Sequence, residues 1–381
     1  MNRKIHLVFH IRSMEIGGIQ KVLLEYLANL PREEFEISLI TSLYQGELIN
    51  EIPKDIRTYF IGNGKEFLSK NKYIQKLQLV IRRIKLAFYQ RFPNLLYRKL
   101  HRKPNIEIAF DIPTFQWVAN SPVKDSKKIS WLHNDLKNTH ANENITLHII
   151  ALMKKFDACI MVSDFAKNNI KKYYNTEFKS SFVVNNPVNT KDIQKKSNEF
   201  NTVLPHPCFI GAGRLTKSKA YDLLLVAHHR LIQEGHQHYI AILGDGPERN
   251  KLSEEISRLG VEKTFLLLGN KTNPYPYFKE ADFFIHPSLR ESYPMVILEN
   301  LLLNKPIIST NVGGIPEIID NGINGVLINP NEDEIYNAMK DFLTQPEWVN
   351  KIKEGTKNSS ERFNENKIYQ QVIDIFKSIL K

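Results

Sequence analysis

Runs of apolar residues alternate with amphipathic stretches through the first half of the chain. The runs predict strands and the stretches predict helices. Predicted strands are 5–10, 37–42, 106–110, 128–132, 158–162 and 182–184, and predicted helices are 19–30, 144–154 and 164–174. This alternation favours a parallel sheet with helices on both faces.

A second series of the same kind follows a polar segment at 190–207. Its predicted strands are 207–211, 239–243, 264–268, 282–286, 306–309 and 325–328, and its helices are 221–234, 247–260, 274–281, 294–303, 315–320 and 333–344. The chain is therefore interpreted as α/β with two domains. Their boundaries are 1–190 and 207–363, with an interdomain linker at 191–206 and a C-terminal amphipathic helix at 364–381.

Length and composition also favour two cores. A chain of 381 residues, of which 42% are hydrophobic, suits two domains of about 180 residues each. No uncharged apolar run reaches the roughly 18 residues of a membrane-spanning helix, and the apolar segment at 5–11 is too short and polar for a signal peptide. Cys159 and Cys208 lie in apolar runs and are expected to be buried free thiols. We expect a cytoplasmic protein.

Positive charge is concentrated in one insertion, residues 65–103. It holds twelve Lys or Arg and a single acid, Glu66, so its net charge of +11 equals that of the whole chain. Apolar residues interleave with the cations at three- and four-residue spacing, interrupted at Pro93. Basic amphipathic helices bind anionic membrane surfaces, which is the preferred interpretation. A solvated helical face is the main alternative; nucleic-acid binding is disfavoured because no recognition motif is present.

Two glutamates bracket the start of a predicted helix. Glu291 falls on the loop after the strand at 282–286, and Glu299 falls inside the next helix. Eight residues at 1.5 Å each put the carboxylates about 10–12 Å apart, farther than glycosidase acid–base pairs. Two separate contacts to hydroxyl groups fit this spacing better; two solvated glutamates at an ordinary helix start are the alternative. Ser292 is the predicted cap of that helix.

Two cations lie on a similar loop upstream. Arg214 and Lys219 follow the strand at 207–211 and precede the helix at 221–234. In open α/β sheets, ligands bind at the carboxyl ends of strands and anions bind near helix N-termini. The pair is therefore predicted to hold a diphosphate; a solvated basic loop is the alternative. His228, His229, His236 and His238 lack ligand-like spacing and are predicted to be surface residues.

The order of these motifs resembles that of family-four glycosyltransferases of the GT-B type, closely over 208–328 and more loosely in the first half. The matching residues are Gly213-Arg214-Leu215 with Lys219, Gly244-Asp245-Gly246-Pro247, Glu291 with Glu299, TNVGGIPE at 310–317, Gly17-Gly18, His133 and VVNNPV at 183–188. The resemblance implies two Rossmann-like parallel-sheet domains facing a cleft, a C-terminal helix packed back on the first domain, and sugar transfer from a nucleotide donor with retention of configuration. We expect the donor to be UDP-linked.

The resemblance also implies site residues. The catalytic set is His133, Arg214, Lys219 and Glu291, and the donor-binding set is Gly17, Gly18, Arg214, Lys219, Asn270, Lys271, Glu291, Glu299, Gly313 and Gly314. With no Asp-x-Asp motif and no clustered His or Cys ligands, we expect neither a metal nor another cofactor. Three departures, Ala220, Ser292 and Asn300, leave the donor's identity open.

The expected acceptor is a lipid-linked or cell-surface glycan at the cytoplasmic face of the membrane. Two other functions stay open. One is a sugar-nucleotide epimerase on the same fold, which would need neither an acceptor nor the basic insertion. The other is a non-catalytic protein that binds glycans or polyanions.

Overall fold

The computed structural model describes residues 4–139 and 142–381, which form two compact units. Unit 1 takes in the chain up to Pro187 together with Glu365–Lys381, and unit 2 is Val188–Asn364. Each unit has its own parallel sheet and its own buried core. The predicted fold class, two Rossmann-like parallel-sheet domains, is confirmed.

The sheet of unit 1 has the order β3-β2-β1-β4-β5-β6-β7 in the described chain, with all strands parallel. The strands are β1 (Ile5–Ile11), β2 (Phe35–Tyr44), β3 (Arg57–Asn63), β4 (Ile106–Ala109), β5 (Lys127–Leu132), β6 (Ala158–Met161) and β7 (Ser181–Val183). Leu7, Val8 and Phe9 on the central strand β1 are fully buried, because helices cover both faces of such a sheet. The strand order reverses between β1 and β4, the kind of point where α/β sheets bind ligands.

The helices of unit 1 before Pro187 are α1 (Gly18–Asn29), α2 (Lys72–Arg91), α3 (Asn94–Tyr97), α4 (Ile112–Ala119), α5 (Leu136–Thr139), α6 (Glu143–Met153) and α7 (Asp164–Tyr174). The pattern analysis missed β3 and α4. Strand β3 lies at the sheet edge, and polar residues such as Arg57, Thr58 and Asn63 leave it an apolar run of only three residues, 59–61. Helix α4 has only eight residues and carries Pro113 in its first turn.

Unit 2 has a parallel sheet of order β10-β9-β8-β11-β12-β13 in the described chain. Its strands are β8 (Cys208–Ala212), β9 (Tyr239–Leu243), β10 (Phe265–Gly269), β11 (Phe283–His286), β12 (Ile307–Thr310) and β13 (Val326–Ile328). Its helices are α8 (Thr190–Lys196), α9 (Tyr221–Gln233), α10 (Arg249–Leu259), α11 (Tyr275–Glu280), α12 (Met295–Leu302), α13 (Glu332–Thr344) and α14 (Pro346–Ser359). The helix predicted at 315–320 is a 3₁₀ turn, Ile315–Glu317, and α14 was not predicted.

The structure differs from the predicted linker at 191–206. Helix α8 occupies its first part and belongs to unit 2. Asn189 caps α8 by accepting a hydrogen bond from the Asp192 amide at 3.0 Å, and Ile193 is buried. Asn273 donates to the Lys196 carbonyl at 2.8 Å. The segment looked like a linker because α8 exposes a polar face and buries a single apolar side chain.

The last helix, α15 (Glu365–Ile379), belongs to unit 1 although unit 2 precedes it in the sequence. Its Tyr369 ring packs edge-on against Tyr26, with centroids 5.9 Å apart, and its Phe376 ring packs similarly against Phe35 at 6.1 Å. The Tyr369 hydroxyl also donates to Glu25 at 3.0 Å. Burial of aromatic rings therefore holds α15 to unit 1.

Candidate functional site

Three loops of unit 2 meet at the carboxyl ends of β8, β11 and β12, which are neighbours in the sheet. The hydroxyl of Ser288 donates to the carbonyl of Ser218 at 3.0 Å, and the amide of Leu289 donates to the same carbonyl at 2.7 Å. Thr310 donates to the carbonyl of Ser288 at 2.5 Å. These bonds tie the loops that carry the candidate donor-binding residues.

Two glycines allow the loops of this sheet edge to approach each other. Gly313 has a φ of +63°, and a Cβ there would overlap the backbone carbonyl of Glu291. Gly244 has a φ of +141°, and a Cβ there would overlap the carbonyl of Gly213. Only glycine combines a positive φ with so close an approach. Gly314, with a φ of −86°, has an ordinary conformation.

Glu291 lies at the carboxyl ends of these strands and contacts two basic side chains. Its Oε1 accepts hydrogen bonds from the ammonium of Lys219 and from Nε2 of His286, the latter at 2.8 Å. Although burial alone raises the pKa of Glu291, the charge of Lys219 and the His286 hydrogen bond lower it to about 2. The carboxylate is therefore ionised at neutral pH.

Arg214 and Lys219 occupy different environments. Arg214 is exposed, and its guanidinium makes no ion pair within the described chain. Lys219 lies at the end of a 3₁₀ turn, Lys217–Lys219, with its side chain 22% exposed and paired with Glu291. Ala220 follows with a φ of +50°, which explains why glycine suits that position. One cation is thus held in place before an anion binds, and the other is free to turn.

Glu299 lies on α12 and is 4% exposed. Its Oε1 accepts a hydrogen bond from the hydroxyl of Tyr275 at 3.0 Å, which helps to hold the buried carboxylate. Helix α12 begins at Met295 with Pro294 at its N-cap position, so the predicted cap at Ser292 is wrong. Proline fits there because it has no N–H to leave unpaired.

Asn270 and Lys271 follow β10, the edge strand two positions from β8. The ammonium of Lys271 lies 5.4 Å from the ring centroid of Tyr277, and Asn270 is exposed. Their place in the donor-binding set stays a prediction.

In unit 1, Gly17 and Gly18 form the start of α1, after β1. Gly17 is the N-cap residue and is extended, with a φ of −172°. His133 follows β5, and its ring stacks 6.1 Å from Trp131. Its Nε2 is buried without a hydrogen-bond partner in the described residues, and burial lowers the pKa of His133 well below its ordinary value. The imidazole is therefore neutral, the form that orients a hydroxyl rather than one that carries charge.

The prediction that the four histidines near α9 are surface residues is wrong for two of them. His228 and His238 are fully buried, with His228 Nδ1 and His238 Nε2 2.8 Å apart, and His228 also contacts the Thr264 hydroxyl at 2.9 Å. Burial lowers the pKa of His228 to about 3 and that of His238 to about 4. The surface prediction failed because mutual hydrogen bonding permits neutral histidines to be buried.

Cys159 and Cys208 are buried and free, as predicted. Among the described residues, no group of three or more His, Cys, Asp or Glu side chains is placed to hold a metal ion.

The basic insertion forms α2 and α3, separated at Pro93. Leu86 and Tyr89 of α2 pack on unit 1 beside the buried Leu96 of α3. The more apolar side of α2 points away from unit 1: Leu77 is 60% and Ile84 63% exposed. Other exposed apolar residues of α2 are Tyr73, Ile74, Val80, Ile81 and Phe88.

A turn of about 100° per residue explains this arrangement. It puts Leu77 and Ile84 on one side of α2 and Leu86 on the opposite side. The tertiary structure thus leaves an apolar face uncovered by the described chain. No described helix is long and apolar enough to cross a bilayer.

The sequence interpretation missed His286 and Tyr275. Each contacts one of the two glutamates: His286 contacts Glu291, and Tyr275 contacts Glu299. His286 had a usable signal, because it ends a strand five residues before Glu291. Tyr275 had none, since 24 residues separate it from its partner.

Several known proteins are similar to this chain in sequence. Residues 192–362 match the model of the family described as glycosyl transferases group 1. An uncharacterised glycosyltransferase of Methanocaldococcus jannaschii, MJ1059, is 29% identical over 80% of this chain and 76% of its own. An N-acetylgalactosamine-N,N'-diacetylbacillosaminyl-diphospho-undecaprenol 4-alpha-N-acetylgalactosaminyltransferase of Campylobacter jejuni is 25% identical over 95% of this chain and 97% of its own.

Solved structures share the fold. Anabaena Alr3699/HepE, in complex with UDP and glucose, aligns with a TM-score of 0.77 over 98% of this chain and 99% of its own, at 19% identity. TarM aligns with a TM-score of 0.77 over 99% of both chains, at 13% identity.

Proposed function

We propose that this glycosyltransferase, whose residues 192–362 match the model of the group 1 glycosyl transferases, transfers a sugar from a UDP-linked donor to a lipid-linked or cell-surface glycan, with retention of configuration. The observation that carries the proposal is the ionised Glu291 held by Lys219, whose loop also carries the exposed Arg214. One carboxylate for sugar hydroxyls and two cations for a diphosphate match the chemistry of a nucleotide sugar.

Loss of UDP from the donor sugar leaves negative charge on the departing phosphate. Cations close to the departing phosphate stabilise such charge in the transition state. Arg214 supplies a planar fork and Lys219 a compact charge. We propose that these two side chains and nearby backbone amides serve in place of a metal ion.

Retention needs the new bond to form on the face from which UDP leaves. We propose a front-face displacement, in which the acceptor oxygen bonds to the anomeric carbon as the bond to the phosphate oxygen breaks. The acceptor proton passes to the departing phosphate. Glu291 and His133 hold sugar hydroxyls in this scheme, and neither acts as the nucleophile.

The nature of the donor and acceptor is supported by the relatives. The Campylobacter relative acts, by its name, on a diphospho-undecaprenol-linked glycan, and Alr3699/HepE has been solved with UDP and glucose. We propose a lipid-linked glycan acceptor and a UDP-linked donor for this chain as well. Glu299 would then accept hydrogen bonds from the ribose, and Gly17, Gly18 and Gly313 would let backbone amides approach the donor.

We propose that α2 brings the enzyme to an anionic membrane at its cytoplasmic face. No acid occurs in residues 67–103, and Lys76, Arg83 and Lys85 flank the exposed apolar face. Such helices bury their apolar face about 5–10 Å into the headgroup layer, while each basic residue adds about 1 kcal/mol. A lipid-linked acceptor would be met at that surface.

The test is a transfer assay with a panel of UDP-sugars and an undecaprenyl-diphosphate-linked glycan, with and without EDTA. We expect a product that retains the configuration of the donor, at a rate that EDTA leaves unchanged. Epimerised donor in the absence of acceptor would favour the epimerase. Binding of glycan without turnover of any donor would favour the non-catalytic function, and loss of activity in EDTA would refute metal independence.

A further inference from the structure

His286 ends β11 and is 1% exposed. Its Nε2 lies 2.8 Å from Glu291 Oε1, and its ring is nearly parallel to that of Phe284, with centroids 6.2 Å apart. The Nδ1 atom is buried and has no hydrogen-bond partner in the described part of the chain. The side chain is thus buried with a single polar contact, and that contact is a residue of the candidate site.

The protonation of this pair follows from its surroundings. Glu291 is ionised and accepts hydrogen bonds only, so Nε2 of His286 must carry the proton. Burial lowers the pKa of His286, which keeps the ring neutral and leaves Nδ1 without a proton. The carboxylate therefore fixes the tautomer of the ring, and the ring fixes the direction of one carboxylate oxygen.

The two oxygens of Glu291 then differ. Oε1 accepts hydrogen bonds from both Lys219 and His286. No described side chain or backbone group donates a hydrogen bond to Oε2. Lys219 has a flexible stem, but His286 lies on a buried strand and cannot follow a ligand. If Lys219 turns to a diphosphate, His286 is the donor that still holds Oε1.

We propose that His286 is a positioning residue, which holds Glu291 so that Oε2 faces a hydroxyl of the transferred sugar. The inference rests on the proposed function and deepens it, because it assigns the affinity for the sugar, as distinct from the nucleotide, to the His286–Glu291 pair. The diphosphate and the ribose are bound by other residues. Loss of the pair should therefore weaken binding of a UDP-sugar and spare binding of UDP.

The experiment measures dissociation constants by calorimetry. The ligands are UDP and whichever of UDP-glucose, UDP-galactose and their N-acetylated forms the wild-type protein binds most tightly. His286→Leu removes the donor at similar volume. His286→Gln carries an amide nitrogen near the position of Nε2, and His286→Asn carries one near Nδ1 instead. His228→Leu is the matched control, a buried histidine of the same unit outside the site.

We expect His286→Leu to lose about ten- to a hundredfold in UDP-sugar affinity, as for a hydrogen bond to a charged group. Its UDP affinity should stay within about threefold of wild type. His286→Gln should recover most of the loss and His286→Asn should not. His228→Leu should keep the wild-type ratio of the two affinities.

The inference would be overturned if His286→Leu lost as much affinity for UDP as for the UDP-sugar. It would also be overturned if His286→Gln bound the UDP-sugar no more tightly than His286→Asn. Either result would leave the proposed function intact. If the leucine variant does not fold, the contrast between glutamine and asparagine decides alone. A wild-type protein that binds none of the UDP-sugars would overturn the proposed function and this inference with it.

Discussion

Lys219 and Glu291, 72 residues apart in the sequence, form an ion pair at the carboxyl ends of two neighbouring strands. Their side chains are 22% and 12% exposed, so water screens the pair only in part. A donor diphosphate would compete with Glu291 for the ammonium. Binding of the donor and arrangement of the sugar-binding carboxylate are thereby linked through one lysine.

Lys219→Ala should slow sugar transfer by roughly a hundredfold, because a charge-assisted contact to the departing diphosphate is lost. The measurement is kcat under saturating donor and acceptor. Lys217→Ala, an exposed lysine of the same 3₁₀ turn, is the control and should keep the wild-type rate. Full activity in Lys219→Ala would remove this residue from the catalytic set.

Glu299→Gln should weaken UDP binding by about tenfold, since an amide replaces a carboxylate that accepts from ribose hydroxyls. Calorimetry with UDP alone isolates this contact from those of the sugar. Glu254→Gln, at an exposed position of α10, should bind UDP as wild type does. An unchanged affinity in Glu299→Gln would place the ribose elsewhere.

The stability of unit 2 should fall as the pH drops from 7 to 5. His228 and His238 have lowered pKa values in the folded state, so the unfolded chain binds more protons below about pH 6.5. Each contributes up to roughly 2 kcal/mol to the free energy of unfolding at pH 7 that is lost by pH 5. Urea unfolding at the two pH values measures the difference.

Fluorescence of Trp348 reports unit 2 when Trp117 and Trp131 of unit 1 are replaced by phenylalanine. In that background His228→Leu should reduce the pH dependence, whereas His229→Gln, a half-buried neighbour on α9, should keep it. A pH dependence equal in all variants would show that other groups cause it.

The exposed face of α2 should bind anionic vesicles. Replacing Leu77, Ile81 and Ile84 by asparagine should abolish sedimentation with phosphatidylglycerol vesicles, at little cost to folding because these side chains are exposed. Replacing Arg82, Arg83 and Lys85 by glutamine should weaken vesicle binding, and the loss should be larger at low salt than at high salt because salt screens the attraction. Val203→Asn, at a position 89% exposed in unit 2, is the control. Unchanged sedimentation of both triple variants would refute the membrane contact.

Local pattern was enough for the fold class. Strands such as β1 and β8 are buried on both faces because helices cover both sides of a parallel sheet. Most of their residues are therefore apolar, and a few consecutive residues are enough to show this signal. Elements with a weaker local signal were missed. Edge strand β3 has an apolar run of only three residues, 59–61, and α8 buries only Ile193.

The motif order in the sequence determined the family resemblance, the candidate residues and the loops that carry them. Tertiary structure alone decided their partners: His286 and Lys219 on one oxygen of Glu291, Tyr275 on Glu299, and His228 on His238. It also decided that α2 packs through Leu86 and leaves Leu77 and Ile84 exposed. The physical reason is that periodicity shows that a helix has an apolar face, whereas burial and pairing depend on what other parts of the folded chain bring against it.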